Sequence, residues 1–168
     1  ELVRLEVEKQ LGVKALTGGY QVYTTVDSAQ QQAADLAVFN GLSAYDQRHG
    51  WRGPEAKLTI DSTDSAAVDV ALQPYATIGP LVPAIVTAVE PKLALLRLAD
   101  GQDVELALES MAWARRYLNE NARGPAPKSV DQVLAVGDLV RVRRDVEGKF
   151  ALAQVPRVQG ALVSIDPE

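Results

Sequence analysis

The stretch Tyr45-Asp46-Gln47-Arg48-His49-Gly50-Trp51-Arg52-Gly53-Pro54 gathers more potentially reactive side chains than any other part of the sequence. It holds a carboxylate, two guanidinium groups, two aromatic rings and His49, the only histidine. A single imidazole cannot build a metal site, and no serine or cysteine stands beside it in an elbow where it would serve as general base. The expected role is therefore structural: an ordered loop in which Trp51 covers a core edge while Arg48 and Arg52 bond loop carbonyls. A second polar cluster, Asp61-Ser62-Thr63-Asp64, lacks the glycine and terminal glutamate of a calcium loop and fits the N-cap of a helix running to Leu72. With no cysteine, thiolate chemistry and disulfides are excluded. Neither a catalytic residue, a metal ligand nor a cofactor-binding residue is expected, and no cofactor.

The elements that carry these residues change character along the chain. Residues 1–16 read as the tail of a helix closed by Gly12 or by Gly18-Gly19. Tyr20–Val26, with its β-branched and aromatic residues, reads as a strand. Asp27 caps the next helix, with Gln30 placed to close a capping box, and Ala29, Ala33, Leu36 and Ala37 form a small-residue stripe suited to close approach on a sheet. The Tyr45–Pro54 segment is expected to end that helix.

Beyond residue 80 the pattern becomes short strands separated by turn signals. Leu81–Glu90, Leu93–Leu98 and Val104–Leu108 are three strands, with Pro91-Lys92 and Asp100-Gly101 as turns. Ser110–Leu118 carries good helix formers, and Gly124-Pro125 with Pro127 makes a loop of Asn119–Ser129. Asp138–Arg144 and Lys149–Gln154 are the fourth and fifth strands. Three strands, a helix and two strands is the order of an oligonucleotide/oligosaccharide-binding (OB) barrel. Residues 158–166 read as a further strand, partner to the one at 20–26. The fold expectation is a mainly β protein with helices, in which a five-stranded OB-like barrel is inserted between those two strands of an incomplete sheet. Residues 1–74 form the N-terminal flank, 75–157 the barrel and 158–168 the outgoing strand.

A net charge of −5 over 168 residues and a 5% aromatic content disfavour nucleic acid, whose single-stranded form is held by basic grooves lined with stacking rings. No apolar run is long enough to cross a bilayer, and Glu1-Leu2-Val3-Arg4 does not resemble a signal sequence, so membrane contact by this segment is not expected.

Three sets of residues, in order, then carry a resemblance: Gly18-Gly19-Tyr20-Gln21-Val22-Tyr23-Thr24-Thr25-Val26-Asp27, the Tyr45–Pro54 segment, and Leu152-Ala153-Gln154-Val155-Pro156 followed by Ala161-Leu162-Val163-Ser164-Ile165. With Trp113-Ala114-Arg115 and Gly124-Pro125, they resemble the 1a-type class A penicillin-binding proteins, bifunctional peptidoglycan synthases of Gram-negative envelopes. The resemblance covers nearly the whole chain but only the middle of such a protein, between glycosyltransferase and transpeptidase. No Ser-x-x-Lys, Ser-x-Asn or Lys-Thr-Gly is present, so no catalytic position carries over. The resemblance implies a non-enzymatic docking domain in the periplasm, part of an inner-membrane-anchored protein, that receives an outer-membrane lipoprotein activator of the transpeptidase. Trp113, Arg116, Tyr117, Arg141 and Arg143 are the expected contacts, because aromatic and arginine side chains dominate interface energetics. The alternatives are direct peptidoglycan binding, with Tyr75, Tyr117 or Trp51 stacking on sugar rings, and a spacer between catalytic domains.

Overall fold

The computed structural model describes residues 2–61, 64–145 and 147–162. The chain divides into two units, residues 1–34 and 35–168. In the first, α1 (Leu2–Leu11) is followed by Gly12, at φ 61°, and the short α2 (Lys14–Thr17). Within α1 the Arg4–Glu8 and Glu6–Gln10 side chains pair at i, i+4, as neighbours one turn apart do. The expected strand at Tyr20–Val26 is not formed: those residues are exposed and have no strand partner among the described residues. β-branched residues favour a pleated surface only where a neighbouring strand supplies the hydrogen bonds. Asp27 does cap α3 (Ser28–His49), its Oδ1 accepting from the Ala29 and Gln30 amides at 2.9 Å each. Ala29, Ala33, Leu36 and Ala37 are exposed, so the small-residue stripe meets no sheet within either unit. The helix also runs to His49 and not to the start of the Tyr45 segment. Its stop is Gly50, at φ 101°.

The second unit holds the β structure. Its elements are β1 (Ala56–Lys57), α4 (Ser65–Leu72), β2 (Val82–Val89), β3 (Leu93–Leu98), β4 (Asp103–Ala107), β5 (Tyr117–Asn119), β6 (Ala122–Arg123), β7 (Asp138–Arg144) and β8 (Phe150–Ala153). All pairings between these strands are antiparallel, in the order β1-β7-β2-β3-β4 with β8 also on β7; β5 and β6 form a separate hairpin. The mainly β, OB-like expectation stands, while its parts differ in three places. β1 joins the edge of β7 beside β8, the segment read as a helix over Ser110–Leu118 is a 3-10 turn at Leu108–Met111 followed by β5, and the 119–129 loop contains β6. Residues 158–162 carry no strand, and 163–166 of the expected final strand lie outside the described residues.

Alternation along the strands divides the apolar residues between two cores. Ala84, Val86, Leu96, Leu98, Leu106, Val140, Val142 and Leu152 point into the barrel with Trp51, Met111, Ala114 and Leu134. On the opposite face of the same strands, Ile85 and Leu139 meet Val68 and Leu72 of α4. β2 and β7 are thus buried on both faces. Each fully buried aliphatic side chain contributes about 1.5–3 kcal/mol, so α4 is held by packing even though it has only 8 residues. Asp64 caps it as expected, accepting from the Ala66 and Ala67 amides at 3.0 and 3.2 Å, whereas Ser62 and Thr63 lie outside the described residues.

A bulge in β2 between Val86 and Ala88 frees the Val86 carbonyl, which accepts from the Gly137 amide at 2.8 Å. Gly137 has φ 85°, and a Cβ there would come within 2.5 Å of the Leu58 carbonyl oxygen. Only glycine suits that approach.

Arg97 of β3 ties the outer face together, donating from Nε to Asp69 of α4 at 2.7 Å and from Nη1 to Asp103 of β4 at 3.1 Å. The hydrogen bonds from Arg97, then its charge, hold the Asp69 carboxyl below its ordinary value of 3.8 against the opposing effect of desolvation. A depressed folded-state pKa contributes stability above the unfolded value and loses it as pH falls through the folded value. Asp69→Asn should therefore lower the melting temperature at neutral pH, and the gap to the parent should narrow in acid, as pH falls through the lowered folded-state value and the carboxyl protonates. Thermal denaturation at the two pH values checks this.

Candidate protein-docking surface

The Tyr45–Pro54 segment builds a joint in place of a catalytic loop. Gly50 turns the chain out of α3, and Trp51 enters the barrel core with 7% of its surface exposed. The Trp51 amide donates to the Arg115 carbonyl at 2.7 Å and its own carbonyl accepts from the Tyr117 amide at 2.8 Å, a parallel bridge between Trp51 and Arg116. Gln154, just beyond β8, donates from Nε2 to the Gly50 carbonyl at 2.9 Å and accepts the Arg52 amide at 3.3 Å. Arg52 donates to buried Asp46 at 2.6 Å and to the Val155 carbonyl at 2.8 Å, and Asp46 also accepts the Arg157 amide at 3.4 Å. Trp51 covering the core and Arg52 bonding a carbonyl are as read from sequence. Arg48 instead lies over the Tyr45 ring at 5.7 Å, and His49 Nδ1 is 2.8 Å from the Tyr45 carbonyl oxygen. The imidazole is thereby engaged in its own helix.

The five expected contact residues do not share one patch. Trp113 packs on the barrel core, edge-on to Trp51 at 5.8 Å, and its Nε1 donates to the Leu152 carbonyl at 3.2 Å. Arg141 is buried at 4% exposure. Its Nε and Nη2 donate to the two Glu55 carboxylate oxygens at 3.0 Å each, and its Nη1 donates to the Ala76 carbonyl at 2.6 Å. Arg141 alternates with the inward Val140 and Val142 and so faces away from the barrel core, but the segments around Glu55 and Ala76 cover that face, so it presents no free guanidinium. Arg143, two residues on, is half-buried, with Nη1 3.4 Å from Asn40 Oδ1. Arg116 and Tyr117 are placed differently. Arg116 is exposed and Tyr117 half-buried at the base of the β5–β6 hairpin, where Leu118 is 56% exposed.

The hairpin's tip and the last turn of α3 enclose a cleft of about 310 Å³ between Tyr45, Arg48 and His49 on one side and Asn119 to Arg123 on the other. Sequence reading missed this pairing, because Tyr45 and Arg123 are far apart in the chain and the Asn119–Ser129 segment shows only loop signals. Of the residues considered for sugar stacking, Trp51 is in the core and Tyr75 packs against the second core beside α4. No group of three or more His, Cys, Asp or Glu side chains could hold a metal ion among the described residues, and no helix is long and apolar enough to cross a membrane.

A profile of the penicillin-binding protein OB-like domain matches residues 51–158, from the buried tryptophan to just beyond the Gln154 joint. The chain belongs to this family. The chain is similar over its whole length to penicillin-binding protein 1A of Escherichia coli strain K12, at 42% identity, and of Pseudomonas aeruginosa, at 41%. A crystal structure of penicillin-binding protein 1A from Haemophilus influenzae superposes on 92% of the chain with a TM-score of 0.71 at 30% identity. The chain spans about a fifth of the length of these relatives, 20% of either curated protein and 22% of the crystallised one. The matched span begins at Trp51, and Trp51, β1 and α4 pack on the barrel strands.

Two substitutions separate the joint from the surface. A Cβ at Gly50 would meet the Arg115 carbonyl oxygen at 2.5 Å, and its φ of 101° is a glycine conformation. Gly50→Ala should cost roughly 2–4 kcal/mol, read as a lower denaturation midpoint. Arg141→Ala, which removes the ion pair and hydrogen bonds to Glu55, should cost about 2–4 kcal/mol, read in the same way.

Proposed function

We propose that this domain is a non-catalytic docking module of a periplasmic, inner-membrane-anchored peptidoglycan synthase, and that it receives an outer-membrane lipoprotein activator whose binding stimulates the neighbouring transpeptidase. Glycosyl transfer and peptide crosslinking belong, in this reading, to other parts of the parent protein. The observation that carries it is the β5–β6 hairpin: Arg116, Tyr117 and Leu118 stand at its base and Arg123 at its end, beside Tyr45 and Arg48. Exposed arginine and aromatic groups gathered on a short, doubly anchored hairpin are the usual material of an interface centre. The hairpin is tied to the Trp51 joint through Arg116 and Tyr117, and Arg115 Nε donates to the Gly124 carbonyl at 2.6 Å. A partner seated there would act on the same segment that connects α3 to the barrel. It would shift the transpeptidase only if it bound one arrangement of that connection more tightly than another.

Of the five sequence-derived contacts, Arg116 and Tyr117 are retained as direct ones. Trp113 supports them from the core, and Arg143 stands apart on β7. The test is a chemical-shift titration of the chain with the lipoprotein activator. Perturbations should centre on residues 116–123, and the double variant Arg116→Ala/Tyr117→Ala should weaken binding by about thirtyfold, the effect of losing one strong interface anchor. Unchanged affinity would remove the hairpin from the interface. Retention on purified sacculi, abolished by the same variant, would replace this reading with glycan binding.

A further inference from the structure

Most of the arginine side chains are engaged within the protein. Arg4, Arg52, Arg97 and Arg141 are ion-paired, and Arg115, Arg143 and Arg144 donate to uncharged acceptors. Arg48, Arg116, Arg123 and Arg157 have neither an ion pair nor a side-chain hydrogen bond among the described residues. All four are exposed, and all four line one or other of the two clefts bordered by the β5–β6 hairpin.

In the first cleft, Arg48 and Arg123 stand on opposite sides, and Glu120 is the carboxylate in the lining. The second cleft, of about 460 Å³, is lined by Arg52, Arg116, Tyr117 and Arg157 over an apolar floor of Trp51, Ala114 and Val133, with no carboxylate in the lining. Asp46 neutralises Arg52 at 2.6 Å, which leaves Arg116 and Arg157 uncompensated. At the margin, Gln132 Oε1 accepts the Lys128 amide at 3.0 Å, and Asp131 lies next to Gln132 in sequence, one charge of each sign. Four free guanidinium groups against Glu120 make a cationic region in a chain whose net charge is −5.

The surroundings of these groups discriminate among anions. A phosphate is held best where several donors converge on its oxygens, whereas these guanidinium groups are divided between two clefts, with Tyr45 in one and Tyr117 in the other. An anionic membrane surface would be repelled by the excess of carboxylates over the rest of the chain. A protein segment with carboxylates at intervals and apolar groups between them matches both the charges and the rings.

From this we infer that the partner presents an acidic segment to the hairpin, seating carboxylate side chains on Arg48 and Arg123 in one cleft and on Arg116 and Arg157 in the other. The inference rests on the docking reading and adds to it the chemistry of the partner and a second cleft reaching Arg157, beyond β8. Guanidinium groups suit the task because each offers a fork of donors to both oxygens of a carboxylate.

The test uses Arg123→Glu/Arg157→Glu, which reverses one charge in each cleft, and Arg123→Lys/Arg157→Lys, which keeps both. Both positions are exposed and outside the cores, and thermal melting establishes that each variant folds. The lipoprotein activator should bind the glutamate variant about tenfold more weakly than the parent, as for two exposed charges, and the lysine variant within about threefold of it. Its affinity for the parent should fall on adding salt. A synthetic eight-residue peptide alternating glutamate and alanine should shift the amides of residues 45–50, 115–123 and 157 in the isotopically labelled chain, and a lysine–alanine peptide should not. Lipoprotein shifts at the hairpin with equal affinity for the glutamate variant would overturn the acidic segment and leave the docking reading standing. Absence of lipoprotein shifts at the hairpin would overturn the docking reading and this one with it. Equal shifts from the lysine peptide would also overturn the inference. Binding of inorganic pyrophosphate or of phosphatidylglycerol vesicles that the glutamate variant abolishes, with no shifts from the glutamate peptide, would replace the acidic segment with a phosphate ligand.

Discussion

β7 is the constraint on which the second unit depends. Its inward residues Val140 and Val142 close the barrel core, while Leu139 and Arg141 on its other side are buried by α4 and the segments around Glu55 and Ala76. One strand therefore carries hydrogen bonds to β1, β2 and β8 and supports two cores. A buried guanidinium is tolerated there because both carboxylate oxygens of Glu55 and a backbone carbonyl satisfy it; without them the charge would cost several kcal/mol. The barrel and its outer helix are for this reason one packed body and not a barrel with an appendage.

That dual burial also explains which parts of the architecture could be read in advance. Leu93–Leu98, which alternates against a single core, has the ends expected of it; Asp138–Arg144 has them too although it is buried on both faces, and Gly101, at φ 81°, makes the turn expected of Asp100-Gly101. Asp64 was legible as a cap because the capping interaction is local. Ser110–Leu118 misled because Met111, Ala114 and their neighbours are good helix formers, yet Met111 and Ala114 are drawn into the core while the Arg115 and Tyr117 main chain pairs with Trp51. Tertiary pairing outweighed local propensity there.

The candidate surface was only partly legible for the same reason. Arginine on the outward parity of a strand ordinarily faces solvent, and nothing within Asp138–Arg144 indicates that Glu55 and Ala76, more than 60 residues away in sequence, would cover it (separations of 86 and 65). The β5–β6 hairpin left no alternation to read, because each of its strands is only two or three residues long.

Gln154 and Asp46 hold the chain on its way into the barrel against the chain on its way out, across a sequence separation of 104 and 111 residues. Polymer entropy penalises bringing distant points together only while the intervening chain is free. Here the barrel's own folding meets that penalty, and whatever lies on either side experiences the whole excursion as though it were a tight connector. A host polypeptide can therefore carry such a domain with little slowing of its own assembly, and a pull along the two strands of backbone leaving the joint would load Asp46, Arg52 and Gln154 before it strained any barrel strand.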